Sequence, residues 1–352
     1  MYAASADGDV CIGLGPRRFS YWTGVLRARP QCSRVGAING VLPGGILLVI
    51  IMIAVLDGSD DTAQELRSLV AAGEKRHRLA VLFGCLAALA GALLSLAVAD
   101  KLVSLYARGI VEVQPSIQFG AAVGIGAATW IVAASLTGLP LSTTTAVAGG
   151  LLGAAVFSSH ARVHWDAILL RVALPLVGTV MVSHFAGRLL RGHRSKGAPT
   201  RLPAWFRRVE ARPAHWVASW AKALARGLND APKIVALGTF GLVPNLVKLP
   251  YLLGGVGVAL ALGGLVGGLW LTRNPGAELD SIPHGHAAQS KLYTAAITGA
   301  ASVAGLPVSV RHLGDASMHG VNFAQLALSW LAAPAAAACV AALVLAVLTR
   351  LG

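Results

Sequence analysis

The chain has 352 residues, 55% of them hydrophobic and only 12% charged, with a formal net charge of +14. That composition excludes an ordinary soluble domain and marks an integral membrane protein. The positive excess does not mark a nucleic-acid binder, because the basic residues sit in loops between apolar segments and trace no continuous face, which is the pattern of membrane topology.

Residues 1–35 carry Arg17, Arg18, Arg27, Arg29 and Arg34. No apolar core follows these charges closely, so they read as a disordered tail and not as a signal peptide. The charge-free run 35–56 is the first span, at about the 20 residues a helix needs to cross hydrocarbon. It leads into an acidic phrase, Gly58-Ser59-Asp60-Asp61, after which Glu65, Glu74 and the bases around them read as a surface helix or loop. The second charge-free run is 79–99. Between Glu112 and Arg162 there is no Asp, Glu, Lys or Arg, a stretch long enough for two passes, divided at Pro140. The dividing phrase Gly138-Leu139-Pro140-Leu141-Ser142 runs on into Thr143, Thr144 and Thr145. Hydroxyls at a helix start can donate to an oxyanion or accept around a cation; ordinary capping is the plainer use. Gly149 and Gly153 follow at a spacing that lets helices approach closely.

After a span at 167–187 comes the densest basic cluster, from Arg188 to Arg212, with Glu210 its single acid. The positive-inside rule places it in the cytoplasm, and Trp205, Trp216 and Trp220 read as interfacial anchors beside it. The span 214–240 sets Lys222, Arg226, Asp230 and Lys233 at spacings of four, four and three, one face of a helix. Charges at membrane depth mark a bundle interior or a wet cavity. Gly227 and Pro232 predict a half-helix starting near Asn229 and Asp230, whose free amides would face an anion. The span 249–272 carries Gly263, Gly264, Gly267 and Gly268 as a packing face, and the loop with Asp280, His284 and His286 has spacing compatible with a metal but reads as solvated. The span 292–310 ends in Gly305-Leu306-Pro307-Val308-Ser309, followed by Arg311 and His312, and a last span covers 325–349. Cys11 and Cys32 lie in the tail, whereas Cys85 and Cys339 read as small core hydrophobes, so no disulfide framework is implied.

Two acidic phrases and two Gly-x-Pro-x-Ser breaks at nearly equal intervals make the chain a duplication. The expected domains are the tail, a first repeat at 36–190, a basic cytoplasmic loop at 191–213 and a second repeat at 214–352. The fold class is an all-α polytopic membrane protein of about nine to eleven segments, in two inverted repeats with broken or re-entrant helices.

These phrases resemble the inorganic phosphate transporter (PiT) family, over roughly 40–350. The acidic motif matches at Gly227, Asn229 and Asp230, and the hydroxyl motif at Gly138, Pro140, Ser142, Thr143 and Thr144. The first acidic motif departs from the family with Asp60 in place of asparagine and keeps Asp61. The first hydroxyl motif ends in Thr145 in place of histidine, while the second keeps Ser309 and His312 but carries Val310 and Arg311 in place of two threonines. The resemblance implies a secondary transporter of the cell membrane that moves phosphate with sodium or protons by alternating access, with no covalent chemistry. It implies substrate contacts from Asn229, Asp230, Ser142, Thr143, Thr144, Ser309, Arg311 and His312, and a coupling ion at Asp60, Asp61 and Asp230. No cofactor is expected beyond a sodium ion. Arg311 and Lys233 are expected to supply charge that sodium supplies in typical members, turning coupling toward protons. The many small residues leave room for a homodimer. The alternatives are a transporter of sulfate or another oxyanion, an anion-binding or regulatory homologue that no longer transports, and an intramembrane hydrolase built on Asp60, Asp61 and Asp230, for which no metal set or nucleophile–base phrase is present.

Overall fold

A computed structural model describes residues 2–4, 10–12, 38–137, 139, 141–158, 161–195, 212–240, 247–273, 284–318 and 323–351. Most of the expected tail, the middle of the basic loop with Trp205, the residues Gly138 and Pro140, and Asp280 with the side chains of His284 and His286 lie outside the described residues. At the N-terminus β1 (Tyr2–Ala4) pairs antiparallel with β2 (Val10–Ile12) as a unit of its own.

The helical body follows in chain order. Helix α1 (Ile38–Ala71) runs straight through the acidic phrase, and α2 (His77–Leu94) returns beside it. Short α3 (Ala99–Ser104) continues into a π-turn at Leu105–Gly109. Helix α4 (Ile117–Thr137) and the shorter α5 (Thr143–Phe157) stand on either side of the first break. A two-residue ladder joins β3 (Val111–Glu112) to β4 (Arg162–Val163), and α6 (Trp165–Ala167) leads through a π-segment into α7 (Leu174–Ser195). The second half has α8 (Arg212–Ala236), α9 (Leu249–Arg273), α10 (His284–Ala304), the nine-residue α11 (Val310–Met318) and α12 (Phe323–Leu351).

Six described helical stretches are long and apolar enough to cross a bilayer, at 43–71, 77–97, 117–137, 165–188, 249–272 and 329–350. Their outer faces carry exposed Leu48, Leu86, Phe185, Val266 and Leu343. Apolar surface of that extent is stable against lipid, where each backbone group must also be satisfied within its own helix. Helices α8 and α10 are not among the six: α8 buries Lys222, Arg226, Asp230 and Lys233, and α10 buries Lys291 beside Gln289 and the hydroxyls of Ser290, Thr294, Thr298 and Ser302. Exposed leucine outside and buried lysine inside invert the soluble pattern, and the chain is a multi-pass membrane protein.

Three sequence expectations change. Glu65 and Glu74 are not on the surface: α1 continues as helix past the span, and both carboxylates are buried. Glu65 faces bases of α8 and α10, while Glu74 accepts from the Trp216 indole at 2.9 Å, so Trp216 is tied to protein. The half-helix at Asn229 is instead the end of one continuous α8, with Pro232 inside it. Pro232 removes one donor and crowds the preceding turn without ending the helix, and the Asp230–Lys233 ion pair spans it. Cys85 is buried as expected, but Cys339 is exposed.

Close packing rests on glycine. A Cβ at Gly91 of α2 would fall on the Leu224 carbonyl oxygen of α8, and one at Gly227 would fall on that of Ala88, so the two glycines open the same crossing reciprocally. Gly263 and Gly267 of α9 meet Val55 and Ser59 of α1, and Gly149 and Gly153 of α5 meet Pro334 and Ala338 of α12. These are the packing faces the spacing suggested.

Overfilling the α2–α8 crossing should therefore unfold the bundle. Gly91→Val is expected to lower the thermal midpoint of the detergent-purified protein by several degrees, corresponding to about 1–3 kcal/mol of overpacking. Gly178→Ala, at a site with nothing within 4 Å, should leave the midpoint unchanged.

Candidate functional site

Helices α1 and α8 cross the core antiparallel, and their charges meet rung by rung. Asp57, Asp61 and Glu65 recur every four residues on α1, forming one stripe. On α8, Lys222 stands 2.6 Å from Glu65 and Arg226 stands 2.9 Å from Asp61. The next rung sets two acids together: Asp57, Asp61 and Asp230 each offer a carboxylate oxygen within 4.8 Å of the others, all three buried. Lys291 of α10 closes the far end at 2.7 Å from Glu65 and 2.7 Å from Ser219. The interval from Asp61 to Asp230 is also the interval from Asp57 to Arg226. The rung Asp61–Arg226 thus maps onto the rung Asp230–Asp57 when the repeats are exchanged, as two inverted copies about one axis require.

Two helix starts point at the acidic rung. At the first, Ser142 caps α5 from an extended backbone (φ −141°, ψ 102°), accepting from the Thr145 amide at 3.4 Å. At the second, Gly305 ends α10 in the left-handed region (φ 77°), a conformation that favours glycine, and α11 restarts at Val310. Residues 142–144 and 309–311 line one narrow pocket together with Asp57, Asp61 and Asp230. Free amides and the positive ends of two helix dipoles therefore converge beside hydroxyls, which is the equipment for an oxyanion.

The remaining predicted residues support this cavity from behind. Asn229 donates to Ser302 Oγ at 2.9 Å and to the Leu306 carbonyl at 3.4 Å, and its Oδ1 accepts from the Val308 amide at 3.4 Å. It fixes the shape of the second break. His312 turns away: Nδ1 is bonded to Ser309 Oγ at 2.6 Å and Nε2 to Ser329 Oγ at 3.0 Å, with Trp330 edge-on to the ring. It orients Ser309, which does line the cavity. Asp60 forms an ion pair with Arg311 at the cavity rim, apart from the three clustered carboxylates. The buried Arg311 Nε has no acceptor among the described residues.

Asp57 was not singled out in the sequence, although it is 2% exposed and its Oδ2 has no hydrogen-bond partner among the described residues. The signal was available in the four-residue recurrence with Asp61 and Glu65. Ending the first span at the last charge-free residue hid it. Three oxygens from Asp57, Asp61 and Asp230 could hold one small cation or a shared proton.

The chain is similar to known proteins in both sequence and fold. The model of the phosphate transporter family matches residues 57–193 and again 192–327. A probable low-affinity inorganic phosphate transporter of Mycobacterium tuberculosis (strain ATCC 25618 / H37Rv) is 29% identical over 264 residues, 70% of this chain and 61% of the relative. One of the same description from Streptomyces halstedii is 31% identical over 195 residues, 52% of this chain and 86% of the relative. The chain thus spans about three fifths of the mycobacterial relative's length. A solved structure titled the sodium-dependent phosphate transporter shares the fold, with a TM-score of 0.73 at 19% identity over 89% of this chain and 100% of that one.

Breaking one rung should be far worse than removing it whole. Arg226→Met strands the Asp61 carboxylate and is expected to destabilise by about 3–5 kcal/mol, whereas Asp61→Asn with Arg226→Met should recover most of that loss. Denaturation of these two variants, of Asp61→Asn alone and of the parent in detergent provides the double-mutant cycle.

Proposed function

The chain belongs to the phosphate transporter family, and from that premise we propose that it carries inorganic phosphate across the cell membrane by alternating access, together with a sodium ion or a proton. The observation that carries the reading is the pocket where two broken-helix starts, 142–144 and 309–311, meet Asp57, Asp61 and Asp230. Phosphate would sit against the amides and hydroxyls of the two starts, with Arg311 Nε supplying a charged donor.

Charge balance explains why a cation must travel too. In the seam between α1, α8 and α10 the buried acids Asp57, Asp61, Glu65 and Asp230 are matched in number by the buried bases Lys222, Arg226, Lys233 and Lys291. With all eight groups ionised the seam is neutral, so an anion entering it brings uncompensated charge into a low-dielectric interior. A sodium ion or proton on Asp57, whose Oδ2 has no hydrogen-bond partner among the described residues, and on its neighbours removes that penalty at the place where the anion binds. In this reading Asp57, Asp61 and Asp230 hold the coupling ion, and Asp60 serves by orienting Arg311. Asn229 and His312 act as positioning residues through Val308 and Ser309. Opening to either side of the membrane would follow from the two repeats rocking about the shared seam.

Uptake of labelled phosphate into proteoliposomes under separate sodium and proton gradients tests the reading. One of the two gradients should drive accumulation. Asn229→Ala should slow uptake about tenfold or more, since it removes a buried group bonded on both sides of the break at about 1 kcal/mol per bond. Asp57→Asn should still bind phosphate while losing gradient-driven accumulation. Phosphate binding without uptake under either gradient would identify a non-transporting homologue, and full competition by unlabelled sulfate would widen the substrate to tetrahedral oxyanions.

A further inference from the structure

The coordination of Lys233 is that of a metal ion. Its side chain is completely buried, and Nζ lies 2.5 Å from Asp230 Oδ1, 2.9 Å from Thr144 Oγ1 and 3.1 Å from the Val308 carbonyl oxygen. An ammonium group has three donors, and here each is directed at one oxygen. None remains for an anion, so Lys233 is not a phosphate ligand. A carboxylate, a hydroxyl and a backbone carbonyl are the hard oxygen set that binds alkali and alkaline-earth cations. The three oxygens come from α8, from the start of α5 and from the break before α11, so the positive charge joins the acidic phrase of one repeat to the hydroxyl phrases of both. The repeats do not demand a base at this place. The interval that carries Asp230 back to Asp61 carries Lys233 back to Gln64, an uncharged residue bonded to Asp315 at 2.9 Å.

We propose that the Lys233 ammonium is a tethered monovalent cation, filling a site that would otherwise take a sodium-sized ion from solution. This rests on the transport reading above and sharpens it. The chain would then bind one dissolved cation or proton fewer per phosphate than its oxygen ligands could hold, and the remaining coupling ion would be the one at Asp57, Asp61 and Asp230. A cation fixed to α8 stays with the site on both sides of the membrane, so Asp230, Thr144 and Val308 remain assembled throughout the cycle.

The test compares the full chain with Lys233→Ala, and with Lys233→Asn as a second neutral variant that keeps more of the buried volume. Phosphate uptake is measured in sodium, potassium and choline media, labelled sodium is counted per phosphate moved, and sodium-dependent thermal stabilisation of the purified proteins is followed. Each variant is expected to lose uptake about tenfold or more in choline, because Asp230 is left as an uncompensated buried charge. Sodium or methylammonium should restore it, with one more cation moved per phosphate than in the parent. Asp230→Asn with Lys233→Met has no stranded charge and should gain no sodium response. The proposal is overturned if a folded Lys233 variant keeps the parent's cation requirement, if it gains no sodium stabilisation, or if the double variant gains the same response. If neither parent nor variant transports but only the variant acquires sodium stabilisation, the transport reading fails and the tethered cation stands.

Discussion

Charge buried where water cannot reach it must find its partner inside the protein, and in this chain that requirement fixes how α1 lies against α8. Four acids and four bases occupy the seam between α1, α8 and α10, each with its side chain buried. Sliding α1 by one residue along α8 would break the Glu65–Lys222 and Asp61–Arg226 contacts together. Buried ion pairs contribute little net stability compared with apolar packing, but a mismatched one is strongly destabilising. The seam therefore acts on register. Packing follows from the register: the glycines of α2 and α9 fall where α8 and α1 approach most closely, and the leucines of the outer faces are left to the lipid.

The same seam determines where the cavity lies. Its acidic rung is where α1 and α8 present Asp57 and Asp230 to each other, and the two helix restarts, α5 and α11, aim their N-terminal ends at that place. Positive dipole ends and hydroxyls suit an anion, while clustered carboxylates suit a cation. Side by side they favour joint occupancy over either alone. Asn229 and His312 illustrate how a motif residue can matter without facing the cavity: one shapes the second break, the other holds Ser309 through its ring nitrogen.

Much of this was legible in the residues. The repeated phrases located both breaks, the four-four-three spacing of Lys222, Arg226, Asp230 and Lys233 located a charged helix face, and the resemblance pointed to phosphate. The acidic stripe was missed for a physical reason. Charge-free windows define a span by what lipid tolerates, yet a helix inside a bundle carries charge past that window, as α1 does through Asp57 and Glu65. A search by helical period in place of hydropathy recovers the stripe. The expected half-helix failed for a related reason: proline's cost is reckoned for an isolated helix, whereas α8 lies inside a bundle whose neighbouring helices hold it continuous through Pro232.

The sequence by itself determined the class, the duplication, the broken helices and the residue types at the breaks, because hydropathy, helical period and chain-breaking residues act over a few neighbouring positions. Which acid faces which base was decided only by the tertiary structure. Asp60 and Asp61 are neighbours in the chain, yet one turns to Arg311 and the other to Arg226. Asp57 and Asp230 lie in different repeats and share a rung. A side chain's partner depends on the crossing of two whole helices, and no local pattern in either helix contains that crossing.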